Sequence, residues 1–146
     1  SRIWEARRVA IPALARCRPT LMLEDATVPR SKIPAMIKAL DEIAARHNVT
    51  IATLGHAGDG NLHPSILCDR RDKEEVSGVE RAVDDLCNAA LELGGTLSGE
   101  HGIGTAKIKW LEQETSHGTI MFSRRLRKAF DPKGLFNPSK IVGFGD

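Results

Sequence analysis

Three of the five histidines and one glutamate fall in two short, glycine-flanked segments: His56-Ala57-Gly58-Asp59-Gly60-Asn61-Leu62-His63 and Glu100-His101-Gly102. Imidazole nitrogens combined with one carboxylate and an open coordination position make a catalytic divalent-metal site. An ion held that way would lower the pKa of a substrate hydroxyl or polarise a carboxylate. Two neutral imidazoles and a carboxylate suit Zn²⁺, and also Mn²⁺ or Fe²⁺. The bland alternatives are that Gly58–Asn61 is an ordinary turn and that the histidines are satisfied surface or core residues. A phosphate cradle is the weaker rival, because Asp59 repels an anion and the loop carries no lysine.

These residues need elements to bring them together. Residues 50–56 are rich in β-branched side chains and read as a strand, and 62–69 as its return strand. Gly58-Asp59-Gly60-Asn61 is strong turn chemistry between them. His56 would end one strand and His63 begin the next, so a hairpin brings the rings together. A strand over 96–100 in the same sheet would deliver Glu100 to that end. Along a regular strand His101 faces the opposite way. A turn at the strand end would let it face the substrate as a general base.

The remaining pattern supplies the frame. A helix is expected over 3–16, stopped near Pro19, and a strand over Leu21–Val28. Ser31 is placed to cap a helix whose Ile33, Met36, Ile37, Leu40 and Ile43 share one stripe, and Asn48 ends it. Pro64 inside the 62–69 strand points to a bulge or an edge position. Asp72 caps a long helix with Val76, Val79, Val83, Leu86, Ala90 and Leu93 on one face, stopped by Gly94-Gly95. The order β-α-β-β-α-β predicts an α+β, ferredoxin-like antiparallel sheet with both helices on one face. An N-terminal helix and a C-terminal helical extension (near 107–114 and 119–130) add to it.

Composition narrows the function classes. At 146 residues, 41% hydrophobic and 27% charged, the chain reads as one globular domain over 1–146. A net charge of +2, four Phe, two Trp and no Tyr argue against a nucleic-acid surface. Cys17, Cys68 and Cys87 show no pairing pattern and read as free thiols of a reducing compartment, Cys68 and Cys87 as small buried residues. No apolar run approaches the ~20 residues of a membrane span. The basic side of the last helix (Arg124, Arg125, Arg127, Lys128) reads as a solvated or domain-facing surface. The chain opens on Ser1 with a helix already under way, which leads us to expect a piece of a longer protein.

With these residues in view, the chain resembles the C-terminal (cap, or substrate) domain of the FAD-linked oxidase family, flavoproteins of the vanillyl-alcohol oxidase type. Trp4-Glu5-Ala6-Arg7 is similar to its Trp-x-x-Arg, and Glu24–Pro29 with Arg30-Ser31-Lys32 to its strand-to-helix entry. His56–His63 matches its His-x-Gly-Asp-Gly-Asn-x-His, Ser98–Gly104 its Ser-Gly-Glu-His-Gly-Ile-Gly, and Asp131–Lys140 its Asp-Pro-x-Gly-x-x-Asn-Pro-x-Lys. The resemblance implies oxidation of a 2-hydroxy acid to a 2-oxo acid with hydride transfer to FAD. It assigns His56, His63 and Glu100 to a divalent metal (Zn or Mn), His101 to the hydroxyl proton and Arg7 to the substrate carboxylate. Asn61 and Asn137 would lie toward the flavin. Members that take 2-hydroxyglutarate carry a lysine where this chain has Leu21-Met22-Leu23, and a hydroxyl-bearing residue where it has Ile11. Both departures favour a glycolate- or lactate-like acid. The resemblance further implies an N-terminal FAD-binding domain as partner, other oxidase subunits or an electron acceptor, a cytoplasmic or peripheral inner-membrane location, and no activity for this piece alone. The alternative is a non-catalytic ferredoxin-like module for ligand binding or assembly.

Overall fold

One proline shapes the sheet. In the structure, a computed structural model describing residues 2–141 (side chains from residue 4), β4 (Asn61–Cys68) is the central strand. It pairs antiparallel with β3 (Thr50–His56) on one side and with β1 (Thr20–Leu23) and β2 (Ala26–Thr27) on the other. The register of that second side runs unbroken from Leu23↔Ser65 to Ala26↔Leu62, so Glu24 and Asp25 lie opposite Pro64 and His63. The Glu24 amide donates to the Pro64 carbonyl at 2.8 Å. Pro64 has no N–H to return, and the ladder lapses for two residues. The strand expected over 21–28 is therefore one strand in two pieces. Pro64 is neither at an edge nor in a bulge; it stands in the middle strand, and the neighbouring strand carries the interruption.

The strand expected over 96–100 is also shorter than its pattern. Only Thr96 pairs, in a single antiparallel bridge to Thr27, with mutual amide–carbonyl bonds of 2.8 and 3.2 Å. Beyond it the chain turns, with Gly102 and Gly104 at positive φ. The spatial order β3–β4–β1/β2–Thr96 is the ferredoxin-like plan with its last strand reduced to one bridge.

Alternation along β4 separates two surfaces. Leu62, Ile66 and Cys68 pack beneath α2 (Ile33–His47) and α3 (Lys73–Glu92), where Met36, Leu40, Leu86 and Ala90 are essentially inaccessible. Asn61, His63, Ser65 and Leu67 take the opposite face, in register with His56, Leu54, Ala52 and Thr50 of β3. Asn48 ends α2 in the left-handed conformation at φ 53°, and Asp72 caps α3 by accepting from the amides of Glu74 and Glu75. Ser31 does not cap α2. It lies within a 3₁₀ turn (Arg30–Lys32), and Pro34 in the first helical turn removes one of the amides a cap would serve.

Among the described residues, three further helices flank this core: α1 (Arg2–Leu14), α4 (Ile108–Glu114) and α5 (His117–Phe130). The first stops short of the expected residue 16, closing in tight turns after Pro12. Its Trp4, Val9 and Ile11 are exposed. Cys68 and Cys87 are buried free thiols, and burial pushes Cys87 up to about 11. No described helix is long and apolar enough to cross a membrane.

Candidate metal centre

The β3–β4 turn works as its residues dictate. Gly60 takes φ +84°, and the Asp59 carboxylate accepts from the Asn61 amide at 3.1 Å. His56 closes β3 and His63 sits two residues into β4, on the same face, with ring centroids 5.2 Å apart and planes nearly perpendicular. The turn after Thr96 brings Glu100 over both. Its Oε1 lies 2.9 Å from His63 Nε2 and 3.6 Å from His56 Nε2. The three ligand atoms lie within 4.8 Å of one another. Ligands of a tetrahedral zinc with bonds near 2.05 Å stand about 3.3 Å apart, so this donor set fits such an ion. The His63 side chain is 12% exposed and Glu100 50%, giving the cluster a buried floor and an open mouth.

His101 also reaches the cluster, because the backbone leaves the strand before it. Its ring stacks on His63, with centroids 5.0 Å apart and planes 11° from parallel, and its Nε2 is 3.9 Å from Glu100 Oε1. A regular strand would have faced it the other way; the turn that the sequence reading allowed for at the strand end is what brings it here.

Asp25 holds this turn in place and was missed from sequence. It is 1% exposed, and its Oδ2 accepts from the Ser98 hydroxyl at 2.6 Å and from the amides of His101 and Glu100 at 2.8 and 3.0 Å. Burial pushes its carboxyl up, but these donors and the nearby His101 outweigh it and hold Asp25 below the ordinary carboxylate range. The available signal was Glu24-Asp25 itself, a pair of acids inside an otherwise apolar strand pattern. Buried Lys107 was missed as well; its ammonium donates to the carbonyls of Asp25 and Leu97 and lies 3.6 Å from Glu24. Gly99 lies flush against β2 and β4. A Cβ there would stand 2.7 Å from the Asn61 carboxamide and overlap the Thr27 hydroxyl.

The other candidate residues lie apart from this cluster or serve the frame. Arg7 is exposed on α1, its guanidinium 5.4 Å from the Trp4 ring centre. Asn61 is 7% exposed, and its Oδ1 accepts from the Thr27 hydroxyl at 3.1 Å. Asn137 is exposed in the C-terminal segment at φ 45°, its carbonyl accepting from Arg127.

Residues 1–141 match the family model described as FAD linked oxidases, C-terminal domain. Over 139 residues the chain is 50% identical to the glycolate oxidase subunit GlcD of Bacillus subtilis, covering 95% of this chain and 30% of that protein. It is 35% identical over 141 residues to the subunit of the same name in Escherichia coli K12, covering 97% and 28%. Identity to the mitochondrial D-lactate dehydrogenase [cytochrome] of Arabidopsis thaliana is 32% over 142 residues, covering 96% and 25%. The chain thus spans less than a third of the length of these curated relatives.

Proposed function

The chain belongs to the family of FAD linked oxidases, C-terminal domain, and on that footing we propose that it is the substrate- and metal-binding part of a flavin-dependent 2-hydroxy-acid dehydrogenase, acting on a glycolate- or D-lactate-like acid. The observation that carries this reading is the convergence of His56 Nε2, His63 Nε2 and Glu100 Oε1 at one open-mouthed point. His56, His63 and Glu100 would hold a divalent cation, Zn²⁺ or Mn²⁺. When bound, that cation supplies Lewis-acid polarisation of the substrate hydroxyl, and FAD, carried by a companion domain, supplies the hydride acceptor.

His101 takes the hydroxyl proton on its imidazole as the α-carbon loses hydride, so that a carbon–oxygen double bond replaces the C–H and O–H bonds. Its stacking on His63 fixes the ring beside the ligand set. A groove of about 520 Å³ opens beside Glu100, between the 96–104 turn, α4 and α5, and gives room for a small acid. Its described lining includes Ser98, Thr119, Ser123 and the carboxylates of Glu100 and Glu114, but no Lys or Arg. The charge complement for a substrate carboxylate therefore comes from outside this lining; the family resemblance assigns it to Arg7, on α1, as a bidentate fork.

Metal analysis of the purified protein and of His56→Ala tests this reading. About one equivalent of Zn²⁺ or Mn²⁺ in the parent, lost in a variant with unchanged circular dichroism, is the expected result. A folded parent that takes up neither ion contradicts it.

A further inference from the structure

We propose that Asp25 is the positioning residue of the metal centre, one buried carboxylate that orients His63 with one oxygen and the Glu100–His101 turn with the other. The inference rests on the metal-centre reading above, with His56, His63 and Glu100 as the ligands, and extends it to a residue outside that set.

The strand register sets the geometry. Glu24 and Pro64 form the pair that carries the ladder bond, so the next pair, Asp25 and His63, falls where antiparallel strands bring side chains closest. Both side chains point to the face away from the helices. Asp25 Oδ1 lies 3.9 Å from His63 Nδ1, too far for a hydrogen bond but with nothing else engaging either atom. These are the two buried side-chain polar atoms that lack a partner among the described residues. A buried acceptor and a buried ring nitrogen that face each other and have no other partner are a pair waiting to close, since leaving each alone costs about 1–3 kcal/mol.

Closure from 3.9 Å needs about an ångström of ring movement, because 2.9 Å is an ordinary N–H···O distance. It also fixes chemistry. Once Nε2 ligates the ion, the ring proton must sit on Nδ1, and Asp25 Oδ1 accepts it. Carboxylate–histidine–metal relays of this kind orient the ring and raise its donor strength.

The second oxygen is already in use. Asp25 Oδ2 gathers Ser98 Oγ and the amides of Glu100 and His101, fixing the turn that carries the third ligand. One side chain thus spans both ligand-bearing segments. A carboxylate can accept at both positions; a carboxamide cannot. In Asp25→Asn, an oxygen kept toward the three donors leaves the NH₂ group facing Nδ1. Nδ1 must then accept, and the proton moves to the nitrogen that should bind metal.

The test uses purified protein labelled with ¹⁵N-histidine and loaded with Zn²⁺. Asp25→Asn is expected to weaken Zn²⁺ affinity by about 10- to 100-fold in a chelator competition. In the parent, His63 Nδ1–H should give a downfield ring signal protected from exchange with water, absent in Asp25→Asn. Zinc binding with a freely exchanging His63 Nδ1–H, or with an Asp25→Asn affinity within twofold of the parent, overturns the inference alone. A merely structural role for Asp25 would lower affinity and leave the ring signal in place, and that too contradicts it. The parent signal decides even where Asp25→Asn does not fold. A parent that binds no zinc overturns the metal-centre reading, and this inference with it.

Discussion

The β3–β4 hairpin and the 98–104 turn bring candidate ligands to one point by opposite means. In the hairpin, backbone does the work: seven register pairs from Thr50↔Leu67 to His56↔Asn61 fix where His56 and His63 stand. In the turn almost no ladder remains. Glu100 and His101 are placed by side chains reaching from other elements, Asp25 from the β1–β2 gap and Lys107 from the start of α4. The hairpin is a local pattern held by its own ladder. The turn has a few long-range anchors, each with a large share of its position.

That contrast ranks the consequences of mutation. The largest loss is expected for His63→Ala, which removes a candidate ligand from the rigid arm and strips Asp25 Oδ1 of the ring it faces. Bound metal should fall to background by elemental analysis, and metal retained at parent level would break the assignment. Lys107→Met comes next. It keeps the length of the side chain but leaves the carbonyls of Asp25 and Leu97 and the Glu24 carboxylate without their cation, so about 3 kcal/mol of stability should go in urea unfolding. Gly99→Ala should cost about 1–3 kcal/mol by overpacking against Thr27 and Asn61, and weaken metal binding with it. A neutral Gly99→Ala would mean the turn is not seated as described.

A carboxylate also organises the irregular C-terminal segment. Asp131 accepts from the amides of Leu135 at 2.9 Å and Phe136 at 2.8 Å. Burial opposes its ionisation, but these amides and Arg127 outweigh it and hold its carboxyl below the usual range. A depressed native pKa stabilises fully above the ordinary aspartate value of about 3.9 and is lost as pH falls through the lower native value. The Leu135 and Phe136 amide resonances should therefore stay put above about pH 4 and move below it; movement near neutrality would contradict the cap. At the foot of the scale stands Gly58→Ala. Nothing lies within 4 Å of a Cβ there, so the change should stay within about 0.5 kcal/mol.

The same contrast explains what the sequence made legible. Helix stripes, the Asp72 cap, the Asn48 stop and the Gly58–Asn61 turn are local signals, and α2, α3, β3 and β4 followed from them. The β-α-β-β-α-β order gave the sheet plan. What local pattern missed was non-local. Thr96–Glu100 has strand-like residues, yet Asp25 captures the amides of Glu100 and His101, and the strand ends after one bridge. Pro64 was expected at a bulge or an edge because proline cannot complete a ladder; the fold keeps it central and interrupts the neighbouring strand between β1 and β2 instead. For the candidate site, residue type and spacing anticipated the convergence of His56, His63 and Glu100. Asp25 and Lys107 were not, because their roles exist only after distant segments meet. The helical stripe of α1 was readable, but Trp4, Val9 and Ile11 are exposed.

The most direct test of the central claim is anomalous diffraction at the zinc edge from crystals of the zinc-loaded protein. The account predicts one strong peak about 2.0–2.2 Å from His56 Nε2, His63 Nε2 and a Glu100 carboxylate oxygen. Full zinc loading with the peak elsewhere, and these three side chains ordered but apart, would contradict it.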